Sequence, residues 1–223
     1  SALLLVPFLL IIRLSFKHWT DTPYHETNHV SGFARLLHER DLRNVLLSHF
    51  MLQLFFSWMV IYMPLYLHST LGLSWSEVGH VLFVGLMAYV LLEYVIGVLA
   101  DTLLGEKEMM ALGFLILAVS TSWFTFLDGT SLALLMCAMF FTRVGASLVE
   151  TTTESYFFKH TKDEDTALIS FFRITRPLSI VVGAILGILT LFFVHNQMNL
   201  LFAVLGFLMI PGFFFTMRLR DTR

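Results

Sequence analysis

Charged side chains inside long apolar runs are the residues of this sequence equipped for chemistry. Arg143, Ser147, Glu150 and Glu154 follow one another at spacings of four, three and four, so a helix sets them on one stripe within about 60°. Arg173 and Arg176 stand in the next apolar run, Glu93 in an earlier one, and His49 and Gln53 lie one turn apart in the first. An ionisable group in hydrocarbon is expensive and marks a functional site by default. Three chemistries suit the set. Glu150 and Glu154 fall at matched depth with Arg173 and Arg176 on consecutive antiparallel helices, where they can neutralise each other as ion pairs that fix packing. Glu150, the deeper acid, can instead take and lose a proton, since a pair that breaks and reforms between states moves one. Arg143 has no equally obvious partner on the next helix, which leaves it for an anionic solute or for pairing with a further part of the protein. Glu93 reads as facing a neighbouring polar helix, with proton coupling as the alternative. His49 and Gln53 either line a path or form an inter-helix hydrogen bond.

Other chemistries lack their residues. No Lys lies within an apolar run, which excludes a retinal Schiff base. No phosphate loop, metal-binding His pair or Ser-centred elbow occurs. His18, His25, His29 and His38 are too widely spread to gather a metal. No catalytic residue, metal or cofactor is expected.

Composition says what must hold these groups. Hydrophobic residues are 57% and charged residues 13% of 223, against about 45–50% and about 25% in soluble chains. Phe occurs 23 times, and mean hydropathy is +0.78. So few charges cannot cover a water-soluble fold of this size, which excludes a soluble enzyme and a disordered chain. The single Cys137 excludes a disulfide scaffold, and a net charge of −2 offers no basic face to nucleic acid. The class is a polytopic protein of the lipid bilayer.

A bilayer core of about 30 Å takes about 20 helical residues. Spans fit at residues 45–67, 78–100, 109–127, 131–158, 166–194 and 198–217, an all-α six-helix transmembrane bundle. Residues 1–16 read as the end of a preceding transmembrane helix and 17–44 as a linker, with a short amphipathic helix fitting residues 32–43. The six-span domain is 45–217 and the tail 218–223. Eleven Lys and Arg fall at Arg13, in the linker, in the 101–108 and 159–165 loops and in the tail, and none in the alternate loops 69–76, 128–130 and 195–197. By the positive-inside rule the linker and C-terminus are cytoplasmic and the protein is multi-pass in the cell membrane.

The second span ends Gly97-Val-Leu-Ala-Asp101-Thr-Leu-Leu-Gly105-Glu-Lys107. A small residue stands one turn before an acid, and a Gly turn leads into the next helix. This segment resembles the loop signature of the major facilitator superfamily of transporters, matched at Gly97, Leu99, Ala100, Asp101, Gly105 and Lys107. It departs from it by one extra residue between Asp101 and Gly105, by Thr102 at a basic position and by Glu106 at another. The run Leu36-Leu-His-Glu-Arg-Asp-Leu-Arg-Asn-Val, leading into a helix that ends Met63-Pro-Leu-Tyr-Leu67, is similar to the family's first helix of a half.

The resemblance implies the C-terminal half of such a transporter: the end of helix six, then helices seven to twelve. It implies a partner surface too, either a missing N-terminal half or a second copy of this chain. Gly97, Asp101, Gly105 and Lys107 then form a conformational-switch loop. The activity implied is secondary active transport of a small-molecule substrate by alternating access, with proton coupling one reading, as symport or antiport. The alternatives are a non-transporting assembly or receptor-like membrane module and, third, a membrane enzyme using the paired carboxylates as acid and base.

Overall fold

The structure is a computed structural model, and it describes residues 38–100, 105–161, 165–195 and 197–220. Expectations for residues 1–37, including most of the linker and of its amphipathic helix, lie outside the described residues, as does Asp101.

Where water is absent, a spanning chain must satisfy its backbone polar groups within each segment, and helices do so. Among the described residues, six stretches are long and apolar enough to cross a membrane. Helix α1 is Arg40–Leu65 and runs on through a π-helical turn, Tyr66–Thr70. Helix α2 is Trp75–Leu99, α3 is Glu106–Trp123, α4 is Leu132–His160 and α5 is Thr166–Phe193. The sixth crossing is split into α6, Met198–Leu208, and α7, Ile210–Met217. Pro211 explains the split: it has no backbone N–H to donate, and its fixed φ suits the first turn of a helix.

Helix ends follow local chemistry. Ser74 and Glu77 form a capping box that opens α2, the Glu77 carboxylate accepting from the Ser74 backbone N–H at 2.8 Å. Gly105, at φ +79°, turns the chain into α3 in a conformation that disfavours any side chain. Helix α1 begins five residues before the apolar run does. Its extra turn is polar, and tertiary contacts hold it: Asp41 lies 3.7 Å from Arg220, beyond the far end of α7.

The ends meet as an up-and-down bundle requires. At one end Tyr156 Oη donates to the Arg220 carbonyl at 3.2 Å, and Lys159 pairs with Glu106. Arg40, Arg43, Lys107, Lys159, Arg218 and Arg220 all belong to this basic end. At the opposite end Tyr66 Oη donates to the Phe124 carbonyl and to Asp128, and Thr125 donates to the Asn199 carbonyl.

Packing follows an internal symmetry. Helix α1 packs on α5 and α4 on α2; α1 and α4 meet each other; α3 packs on α4 and α7 on α1. Exchanging the first three crossings for the last three leaves this pattern unchanged, and an odd number of crossings per set makes the second inverted relative to the first. Close approach relies on glycine. A Cβ on Gly145 would sit 2.9 Å from the Gly113 carbonyl and from the Leu117 nitrogen, where α4 crosses α3. On α5, Gly183 accepts from Trp58 Nε1 at 2.8 Å and Gly187 lies against the Tyr62 ring, so these two glycines are packing residues.

The core lies where α1, α3, α4 and the sixth crossing converge, around fully buried Trp58, Phe55, Phe114, Phe157 and Phe202. Helices α2 and α5 flank it. In their most apolar stretches only 22% and 17% of residues are buried, against 61% in α1 and 56% in α4. The bundle therefore has a front, running α2, α4, α1, α5, whose two outer helices are left bare.

Candidate functional site

The front carries the charged stripe. A cavity of about 330 Å³ takes wall residues from four crossings: Gln53 and Phe56 from α1, Tyr89 from α2, Arg143 and Glu150 from α4, and Arg176 from α5. A second cavity, also about 330 Å³, lies between α2 and α4 and is lined by Glu93, Glu150, Glu154, Thr151 and Ser155. The two share Tyr89 and Glu150. A larger hollow of about 600 Å³, between α3 and the sixth crossing, has Ser122 as its only polar side chain apart from the Trp123 ring and holds none of this chemistry. The four helices that converge on the site are the first, second, fourth and fifth crossings.

Arg143 sits near mid-span on α4 and is only 8% exposed. Its guanidinium carbon lies 5.8 Å from the ring centres of both Phe55 and Phe56, within the range of cation–π attraction. Among the described residues its Nε and Ser147 Oγ are buried without a hydrogen-bond partner, and Tyr89 Oη is buried beside the guanidinium with no bond of good geometry. Such unpaired groups are costly, and each calls for an explanation. The expected salt bridges are not formed. No ion pair within 4.0 Å joins Glu150 or Glu154 to Arg173 or Arg176, although α4 and α5 touch near these residues, where Phe157 stacks on Phe172 with ring centres 4.2 Å apart. Arg173 is exposed and lines neither front cavity. Glu93 does face a polar neighbour, the acidic turns of α4.

His49 stands behind the cavity in a hydrogen-bond chain. Gln53 Nε2 donates to His49 Nε2 at 3.1 Å, His49 Nδ1 is 2.7 Å from Thr175 Oγ1, and Thr175 donates to the Phe172 carbonyl at 2.6 Å. With Gln53 donating, this direction of donation fits one neutral tautomer, protonated at Nδ1. The imidazole also stacks on Phe172, with ring centres 3.9 Å apart. His49 thus ties α1 to α5 through Thr175, while Gln53, bonded to it within α1, also lines the cavity wall.

The family model of the Major Facilitator Superfamily matches residues 45–223. The chain belongs to that superfamily. It is thus a multi-pass membrane protein of a transporter family, and the match takes in every candidate residue and all six crossings but for the first five residues of α1. Searches of curated proteins and of solved structures return no match.

In this facilitator-superfamily chain the signature segment is described up to Ala100 and again from Gly105. A Cβ on Gly97 would meet nothing within 4 Å among the described residues, so Gly97 makes no close helix approach there. Gly105 does form the expected turn, and Lys107 follows it, half-buried, in the first turn of α3. Glu106, which stands where the signature is basic, is only 1% exposed; it pairs with Lys159 and accepts from Ser155 Oγ at 3.2 Å. The buried acid of this segment thus meets a basic residue supplied from α4. Glu106, Tyr89 and the Phe55–Phe56 platform are contributors that the sequence reading did not select. Tyr89 had a signal, one turn from Glu93 on the same face; the phenylalanines are two of 23 and had none.

Proposed function

We propose that this chain is the C-terminal half of a facilitator-type carrier, that it moves a small solute by alternating access, and that Glu150 carries a coupled proton. Helices α1 to α7 would be helices seven to twelve. Residues 1–16 would end helix six, and 17–44 would link the halves on the cytoplasmic side of the cell membrane, where the C-terminus also lies. The bare front formed by α2 and α5 would be covered by an N-terminal half or by a second copy.

One observation carries the reading: a polar cavity built from four crossings opens on the face that the bundle leaves uncovered. An alternating-access path needs a site reachable from either side, between bodies free to rock. Glu150 suits the proton role because it borders both cavities and no ion pair within 4.0 Å holds it among the described residues. The test compares proton-driven uptake with counterflow exchange of one labelled solute in the same liposomes. Glu150→Gln should abolish the first and spare the second. Equal loss of both would assign Glu150 to structure or solute binding, and unchanged activity would remove it from the mechanism.

A further inference from the structure

We infer that the solute of the front cavity is a small organic monoanion, a carboxylate on a compact apolar body, held by Arg143 and Arg176. The inference rests on the carrier reading above and adds the chemical class of the cargo.

Charge is the first argument. The cavity wall carries two guanidiniums, Arg143 and Arg176, and one carboxylate, Glu150, a formal charge of +1 with all three ionised. A monoanion neutralises it and a cation doubles it. The remaining acids of the front, Glu93 and Glu154, line the neighbouring cavity and not this one. Hydrogen bonding is the second. Arg143 is buried, fixed over two aromatic rings, and its Nε has no hydrogen-bond partner among the described residues; Tyr89 Oη is buried beside the guanidinium. Both are donors. A guanidinium is the side chain best matched to a carboxylate, which it grips through two parallel N–H bonds. Shape is the third. The volume, about 330 Å³, is at the lower end of ligand cavities, which run to about 1,000 Å³. Phe56, Val60 and Leu86 supply an apolar wall for the body of the molecule.

The experiment is isothermal titration of the full-length protein in nanodiscs, with empty nanodiscs subtracted. The probes are benzoate, benzamide and benzylamine, which share a ring and differ in charge. Benzoate should bind saturably, and at least about tenfold more tightly than either other probe, as expected for charge-assisted bonds. Arg176→Gln changes an exposed residue and should weaken benzoate by about tenfold while leaving thermal unfolding unchanged. Arg143→Gln should abolish benzoate binding, and Arg143→Lys, which keeps the charge but loses the paired geometry, should restore part of it. Benzylamine binding in preference to benzoate, silence of all three probes, or benzoate affinity indifferent to both arginines would overturn the inference. A carrier of a different cargo would be recognised separately: a cavity cysteine, Leu86→Cys, would still be labelled from both membrane sides while benzoate failed to bind.

Discussion

His49 shows how a titratable side chain inside a membrane can be structural. It receives a hydrogen bond from Gln53, approaches Thr175 at 2.7 Å and stacks on Phe172, so both ring nitrogens and one face are occupied. Replacing Thr175 by Val removes one buried partner, and about 1 kcal/mol of stability should go with it. His49→Phe should cost a similar amount, and the double variant less than the sum of the two, because the chain is shared. Thermal unfolding of the detergent-solubilised protein measures all three. The Arg143–Ser147–Glu150–Glu154 stripe was legible in the sequence, since spacings of four, three and four fix a helix face whatever surrounds it. The partners were not. Matched depth on α4 and α5 suggested ion pairs, but depth is one coordinate: those helices meet through Phe157 and Phe172, and Arg173 is exposed. Tyr89 and Phe55 were hidden for another reason: aromatic residues are ordinary in a membrane span, and only tertiary placement makes them a clamp.

At the scale of elements, hydropathy located all six crossings because each must satisfy its own backbone. It could not locate the polar extension of α1, whose charges are balanced by residues distant in sequence. Two kinds of glycine also look alike in sequence and separate in the fold. Gly145→Ala drives a methyl into the α3 backbone and should cost about 1–3 kcal/mol. Gly97→Ala meets open space and should be neutral or slightly stabilising, since Ala is the better helix former. Unfolding midpoints of the two variants should fall on opposite sides of that contrast; equal loss would mean that another element covers Gly97. At the basic end, Lys159→Leu strips the charged partner from buried Glu106 and should cost about 1–3 kcal/mol. Adding Glu106→Gln should recover part of this. A double variant no better than Lys159→Leu alone would show that the contact is not a coupled pair.

At the scale of the whole molecule, the fold is two inverted sets of three crossings with a polar cavity where α1 and α4 meet on the front. The pattern of polar groups facing an uncovered surface connects the residues to transport: a self-sufficient bundle would bury its charges or pair them. We propose that the front cavity is a pathway opened in turn to the two sides of the membrane. Leu86 is an exposed wall residue, and Cys137, the only cysteine, is replaceable by serine because it too is exposed. The direct measurement is labelling of Leu86→Cys, in a Cys137→Ser background, by a membrane-impermeant maleimide applied to vesicles of each orientation. Alternating access predicts labelling from both sides. Labelling from one side only, or from neither, would contradict it.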